Sequence, residues 1–155
     1  MQKITPCIWF DNQVEEAIAF YTSIFPESKV LQISHYPEGT PELAGKVLTA
    51  TFRLSGQEFI ALNGGPMFKF TEAVSFSVDC KTQDEVDYYW NKLSEGGEES
   101  MCGWLKDKFG LSWQVVPTAL GSLIGNLDPE KAQRVIHAML KMRKIDIETL
   151  KQAAK

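Results

Sequence analysis

Three cysteines and two histidines are the chain's whole stock of the side chains most used as nucleophiles, bases and transition-metal ligands: Cys7, Cys80, Cys102, His35 and His137. The cysteines are odd in number and have no C-x-x-C spacing, which argues against a disulfide framework and against a zinc knuckle. Cys102, in Met-Cys-Gly-Trp, would need a base within reach to act as a nucleophile, so a reduced, buried structural thiol is the favoured reading. Lys106-Asp107-Lys108 reads as a solvated charged turn before Gly110, with contact to an anionic group of a ligand as the alternative. The glycine pair in Leu62-Asn63-Gly64-Gly65-Pro66 is the candidate for a backbone cradle around a cofactor. It is followed by residues 67–70 and another strand rather than by a helix, so it reads as a linker. No residue is assigned a catalytic role.

The elements that must position these side chains belong to one domain of ordinary size, 155 residues with 44% hydrophobic and 23% charged content. Such a chain can bury a substantial core, and no apolar run approaches the ~20 residues that span a bilayer, so no membrane partner is expected. Residues 4–10 form the first apolar run. Asp11 closes it, and it has no basic leader or cleavage site, so the expected address is the cytoplasm. The net charge is −4, without a basic cluster of the kind that neutralises phosphates, so nucleic acid is not an expected partner. Charge is uneven: residues 130–155 hold seven Lys/Arg against three Asp/Glu, and residues 1–129 hold nine against seventeen. The basic tail is expected either to dock on the acidic body or simply to be solvated, with helix C-terminal cations suiting the macrodipole.

Periodicity gives a repeated plan. Residues 4–10 read as a strand, and Val14, Ala17, Ile18, Tyr21, Ile24 and Phe25 then mark one face of a helix that Pro26 stops. Extended segments follow at 30–36, 46–55 and 58–63, the last two joined by a Ser55-Gly56 turn. The pattern restarts where Val74, Phe76 and Val78 alternate with Ser75, Ser77 and Asp79. Next come a helix with the capping box Thr82 to Glu85 and strands near 101–106 and 111–116. Placing Phe10 on Val78 gives an offset of 68 residues and placing Phe20 on Tyr89 gives 69, so the chain reads as two βαβββ copies. After Pro117 the pattern is helical: 118–124, a helix capped by Asp128 with Pro129 in its first turn, and a short one from Asp146. In the middle helix Ala132, Val135, Ile136, Met139 and Leu140 form an apolar stripe that needs a cover, either the same chain or a second subunit.

Two βαβββ modules with the wording Trp9-Phe10-Asp11, Phe25-Pro26-Glu27-Ser28, Leu62-Asn63-Gly64-Gly65-Pro66 and Cys102-Gly103-Trp104-Leu105-Lys106-Asp107-Lys108-Phe109-Gly110-Leu111-Ser112-Trp113-Gln114 resemble the PhnB-like branch of the vicinal oxygen chelate superfamily. That superfamily includes glyoxalases, extradiol dioxygenases, fosfomycin-modifying enzymes and bleomycin-binding proteins, and this branch often carries the label 3-demethylubiquinone-9 3-methyltransferase. The resemblance implies an α+β fold with paired modules over 1–117, divided as 1–66 and 67–117, and a helical C-terminal extension over 118–155. In the superfamily's metal enzymes each module gives two ligands to a cup, and those positions fall here on Ile4, Ala61, Ala73 and Gln114. Of these, Gln114 alone has a ligand-capable side chain, and a neutral amide binds divalent metal weakly.

With Ile4 taken as inward, alternation puts Pro6, Ile8 and Phe10 on the concave face, and Cys7 and Trp9 toward the helix. Phe59, Ala61 and Asn63 face inward by the same rule, as do Ser75, Ser77, Asp79, Ser112, Gln114 and Val116. Thr49, Thr51 and Arg53 join them because Leu48, Phe52 and Leu54 claim the helix side. The four tryptophans are expected in the core. The resulting expectation is a small-molecule-binding homodimer without metal or cofactor, whose ligand meets Gln114, Ser112, Ser75, Ser77, Thr49, Thr51, Arg53, Phe59 and Asn63. The competing reading makes these residues the wet face of an antiparallel sheet. An enzyme, either a methyltransferase or a metal-dependent lyase or dioxygenase, is the alternative class.

Overall fold

Short alternating strands and one amphipathic helix in each half produce the same motif twice. The computed structural model describes residues 2–125 and 128–155, and the chain divides into two compact units, Met1–Lys69 and Phe70–Lys155. In the first unit, β1 (Cys7–Phe10) leads to α1 (Val14–Ile24), then β2 (Lys29–His35), β3 (Val47–Leu54) and β4 (Gln57–Asn63). Its sheet runs β1-β4-β3-β2, with β1 parallel to β4 and the other neighbours antiparallel. In the second unit, β5 (Ser75–Cys80), α2 (Gln83–Ser94), β6 (Glu98–Glu99), β7 (Trp104–Lys106) and β8 (Ser112–Pro117) repeat that order as β5-β8-β7-β6. The fold is α+β with two βαβββ modules. The first strand is shorter than the expected 4–10 because Pro6 has no N–H for the ladder, although its carbonyl still accepts from the Ile60 N–H at 2.9 Å.

Local chemistry explains the element ends. Phe25 is extended (φ −91°, ψ 137°), as expected of a residue preceding proline, and this stops α1. Ser55 and Gly56 have φ of 47° and 87°, the paired positive values of a tight hairpin turn between β3 and β4. At the start of α2 the Thr82 hydroxyl accepts the Glu85 N–H at 3.2 Å, and Glu85 in turn accepts the Lys81 N–H at 2.8 Å. This reciprocal capping matches the signature in the sequence.

Each module has its own core. In the first, α1 buries Val14, Ala17, Ile18, Tyr21 and Ile24. Tyr21 stacks on Phe52 with centroids 6.5 Å apart, and Phe52 stacks on Phe59 at 5.5 Å. In the second, Val86, Trp90 and Leu93 of α2 are buried, as are Leu105, Trp113 and Val115 of the sheet.

The chain continues through α3 (Thr118–Gly125), α4 (Pro129–Leu140) and α5 (Ile147–Ala153). Asp128 and Asp146 cap the last two helices, accepting N–H groups of Lys131 at 2.9 Å and Thr149 at 2.7 Å. The α4 stripe is covered by its own unit: Val135 is buried with Ile145 and Leu150, and Met139 packs against them. Leu140, at the end of the stripe, stays 54% exposed. The extension is fastened to the second module by backbone as well as side chains. The Gln83 amide donates to the Ile145 carbonyl at 3.0 Å and accepts the Ile147 N–H at 2.8 Å. Cys102 and Gly103 donate to the carbonyls of Met142 and Arg143, both at 2.8 Å. Lys144 pairs with Asp87 at 2.8 Å, so the basic tail does meet acidic partners here. Among the described residues no helix is long and apolar enough to cross a membrane.

Candidate functional site

Directly opposed residues on neighbouring strands put their side chains on the same side of a sheet, so register alone defines each face turned away from the helix. In the second sheet one row runs Ser75, Ser112, Lys106, Glu98 across β5, β8, β7 and β6. The next row is Ser77, Gln114, Trp104. The equivalent rows of the first sheet are Cys7, Ile60, Thr51, Gln32 and Trp9, Leu62, Thr49, Ser34. A third row there holds Glu58, Arg53 and Lys29. The modules share a topology but differ in chemistry. Where the first sheet has Cys7, Trp9, Ile60 and Leu62 on its parallel strands, the second has Ser75, Ser77, Ser112 and Gln114.

The polar rows are joined. Gln114 Nε2 donates to the Ser75 hydroxyl at 2.9 Å. Lys106 forms an ion pair with Glu72, which holds the Glu72 carboxyl below its ordinary range and the Lys106 ammonium above its own. Ser112 is 1% exposed, and its hydroxyl has no hydrogen-bond partner among the described residues. Buried hydroxyls are normally paired, and leaving one unpaired costs ~1–3 kcal/mol. Ser112 lines a cavity of about 340 Å³ together with Glu72, Glu98, Trp104 and Lys106. A more open cleft of about 590 Å³ lies on the first module, walled by Gln2, Glu27, Lys29, Arg53 and Glu58. There Arg53 pairs with Glu58 at 2.8 Å.

Several expected positions prove different. Phe59 and Asn63, expected on the concave face, turn toward α1, as do Ile8, Phe10 and Ala61. Phe59 stacks on Phe52. Asn63 Oδ1 accepts the Val14 N–H at 3.1 Å and its Nδ2 donates to the Val47 carbonyl at 3.0 Å, so both ends of the amide serve the fold. Cys7 and Trp9, expected toward the helix, occupy the open face. Ile4 is 83% exposed and precedes β1, and Ala73 precedes β5. Thr49, Thr51, Arg53, Ser75, Ser77, Ser112 and Gln114 stand on the open faces as expected, divided between the two sheets. Ser34 and Thr49 hydroxyls bond to each other at 2.6 Å.

The tryptophans split. Trp90 and Trp113 are buried, but Trp9 and Trp104 are half-buried on the open faces. Asp107 is no solvated turn residue. It is 2% exposed and accepts the N–H groups of Phe109 at 2.9 Å and Leu111 at 3.1 Å, and the Trp113 indole N–H at 2.9 Å. Sequence reasoning overlooks Glu98, assigns Trp104 to the core, and reads Glu72 only as a carboxylate that, like Glu58, could reach toward the cup without a histidine beside it. For Glu98 and Trp104 the missing signal was strand register, since β6 is two residues long. Cys80 is buried, and that burial, then Glu85 and Asp79, pushes its thiol up to about 12. Cys102 is half-buried in a left-handed conformation at φ 59°.

Two βαβββ modules with mixed four-stranded sheets define a protein of the glyoxalase/bleomycin resistance type, within the vicinal oxygen chelate superfamily. The chain belongs to the 3-demethylubiquinone-9 3-methyltransferase family, whose sequence model matches residues 2–116. It is similar to the structure of a PhnB protein from Bacillus cereus that provisionally carries the same methyltransferase description. Identity is 40% and the TM-score 0.69, over 76% of this chain and all of that one. Two more distant structures share the fold: protein PA1353 from Pseudomonas aeruginosa, at 21% identity and TM-score 0.62 over 76% of this chain and 98% of that one, and the fosfomycin resistance protein FosX from Listeria monocytogenes, solved with Mn(II) and sulfate, at 14% and 0.54 over 74% of this chain and 92% of that one. No match was found among functionally curated proteins.

Proposed function

We propose that this protein binds a small molecule on the polar face of its second sheet, without a metal ion, and acts as a homodimer in the cytoplasm. The observation that carries the reading is Ser112, a residue of the cavity wall whose buried hydroxyl has no partner among the described residues. Rotated toward the cavity, that hydroxyl would gain a partner from a ligand oxygen or nitrogen, and Gln114 and Ser75 offer further donors and acceptors on the same face.

The donors do not suit a divalent transition metal. First- and last-strand positions on the open faces supply one thiol, Cys7, which burial raises above its ordinary value, neutral hydroxyls, one amide and two carboxylates, Glu58, which is paired with Arg53, and Asp79, at the far end of β5 beyond Ser77. Such sites bind Zn, Mn or Fe through imidazole, thiolate or carboxylate. Among the described residues no group of three or more His, Cys, Asp or Glu could hold a metal ion. The Gly64-Gly65 pair does not suit S-adenosylmethionine either. A Cβ on Gly64 would overlap the Trp9 ring, and the Gly65 carbonyl accepts the Trp9 indole N–H at 2.8 Å, so both residues are occupied by Trp9.

Support for the homodimer comes from edge strand β2, where Val30, Leu31 and Ile33 are exposed; such edges are ordinarily covered. Three free thiols suit a reducing compartment. The deciding experiment is an NMR fragment screen on the full chain, run beside elemental analysis and a thermal-shift titration with S-adenosylmethionine. Fragments that perturb Ser112 and Gln114 in metal-free protein support the reading. Near one equivalent of bound transition metal would overturn its metal-free part. A strong S-adenosylmethionine shift, ~2.7 kcal/mol of added stability at 100 times the dissociation constant, would restore the methyltransferase. A single-chain mass by light scattering would remove the dimer.

A further inference from the structure

The charges around the Ser112 cavity are unequal, and their pairing says what kind of ligand fits. Lys106 is occupied by Glu72. Glu99, on the rim, accepts the Trp90 indole N–H at 3.1 Å and faces Arg143 at 3.8 Å. Glu98 stands in the same cross-strand row as Lys106 and Ser112 and lines the same cavity. Lys106 also attracts Glu98, its cross-strand neighbour, so with Glu99 offset by Arg143 one negative charge remains over Lys106, Glu72 and Glu98 taken together. An anionic ligand would have to displace Glu72 from Lys106 and then lie against Glu98. A cation would share the two carboxylates with Lys106 and leave the wall neutral, and Trp104 supplies an aromatic surface that attracts positive charge and buries apolar area.

We infer that the cavity takes a small organic cation, an amine carried on an apolar or aromatic body, with the ammonium at Glu98 and Glu72, the body against Trp104 and a polar atom on the Ser112 hydroxyl. This rests on the reading of the second sheet as a binding face and adds the chemical class. The cavity volume, about 340 Å³, is at the small end of ligand sites and suits a molecule of fragment size.

The test is a ¹H–¹⁵N NMR titration of the full chain at low salt with three matched probes: phenethylamine, phenethyl alcohol and 3-phenylpropionate. Phenethylamine is expected to move the Trp104 indole and Ser112 amide signals and to bind tightest of the three. Glu98→Gln is expected to weaken it by about five- to tenfold while leaving the alcohol unchanged, the size of one charge-assisted contact near the surface. Ser112→Ala should weaken both. If 3-phenylpropionate binds tightest at Trp104 and Ser112, the cation assignment falls and the binding face stands. If none of the probes moves these signals at about 10 mM, where fragments of this size should register, both fall.

Discussion

Asn63, the last residue of β4, supplies the cap that α1 lacks: its side-chain oxygen accepts the Val14 N–H at 3.1 Å from across the module. Gln13, at the N-cap position, makes no side-chain cap bond of its own. The Asn63 amide also donates to the Val47 carbonyl at 3.0 Å, so one buried side chain joins the helix start, β3 and β4. Replacing it by Leu leaves a donor and an acceptor unpaired in the interior. At ~1–3 kcal/mol per unsatisfied group, the expected loss for the two is about 2–6 kcal/mol. Asn63→Asp keeps the helix cap but turns a buried carboxylate oxygen toward the Val47 carbonyl, so its penalty should be largest at neutral pH and shrink on acidification, where a protonated carboxyl can donate there. Urea unfolding with an unchanged m-value measures this; a loss below about 1 kcal/mol for the Leu variant contradicts the role.

Asp107 organises the turn between β7 and β8, taking two backbone donors on one carboxylate oxygen and the Trp113 indole on the other. An Asn there must point its NH₂ at one of those donors. Asp107→Asn is therefore expected to destabilise the protein by about 1–3 kcal/mol although it changes only one atom. Trp113 emission should shift in the native state, since its N–H loses a charged partner. An unaltered melting point would show that the carboxylate is not needed.

How far the site was legible depends on how unequal the two faces of each strand are. In β5 the apolar Phe76 and Val78 alternate with Ser75 and Ser77, so its facing reads directly from the sequence. In β1, Cys-Ile-Trp-Phe is apolar throughout, and in β4 the run Phe59-Ile60-Ala61-Leu62 is too, so alternation gives a period without a sign. Taking Ile4 as inward then turned every side chain of both strands to the wrong side, which is what a one-residue slip does. The information was present elsewhere. The 68-residue offset that places Phe10 on Val78 also places Cys7 on Ser75 and Trp9 on Ser77, and so assigns the open face. Helix starts were the most legible feature because Thr82, Asp128 and Asp146 each signal locally. The partners of Asn63 are tertiary contacts that no local pattern encodes, whereas those of Asp107 lie within six residues, an Asx-type turn that the flanking Lys106 and Lys108 disguise as a solvated charge run.

Acid should loosen the extension from the second module. The Asp87 carboxyl is held below its ordinary value by hydrogen bonds from Lys144 and Gln83, and Asp146 by its bonds to Thr149. A carboxyl with a lowered native pKa adds stability above its unfolded value, about 3.9, and that contribution disappears as pH falls through the native value. The stabilisation is therefore full at neutral pH and lost below about pH 4. Asp87 is partly exposed, so its share is modest and shrinks with salt. Hydrogen exchange of the Cys102 and Gly103 amides, which bond to Met142 and Arg143, is the local measure. Their protection relative to β8 should fall on acidification, and Asp87→Asn should flatten that dependence. Equal loss of protection across the whole unit would indicate global unfolding instead.

Gln114 stands between Ser77 and Trp104 in its row and reaches the Ser75 hydroxyl in the neighbouring one. It is half-buried, so Leu fits there without stranding a deeply buried backbone group, and the sheet should tolerate Gln114→Leu with little change in melting temperature. Its effect on binding should be larger. The variant removes an amide able to donate and accept next to Ser112, and a ligand polar group left unpaired loses ~1–3 kcal/mol, about five- to a hundredfold in affinity. Thr49→Val, an open-face change in the other module, serves as the control and should leave affinity unaltered. Calorimetry with the fragment that most perturbs Ser112 decides between them. A weakened Gln114→Leu beside an unchanged Thr49→Val puts the ligand on the second sheet, whereas the reverse order moves the site to the first module.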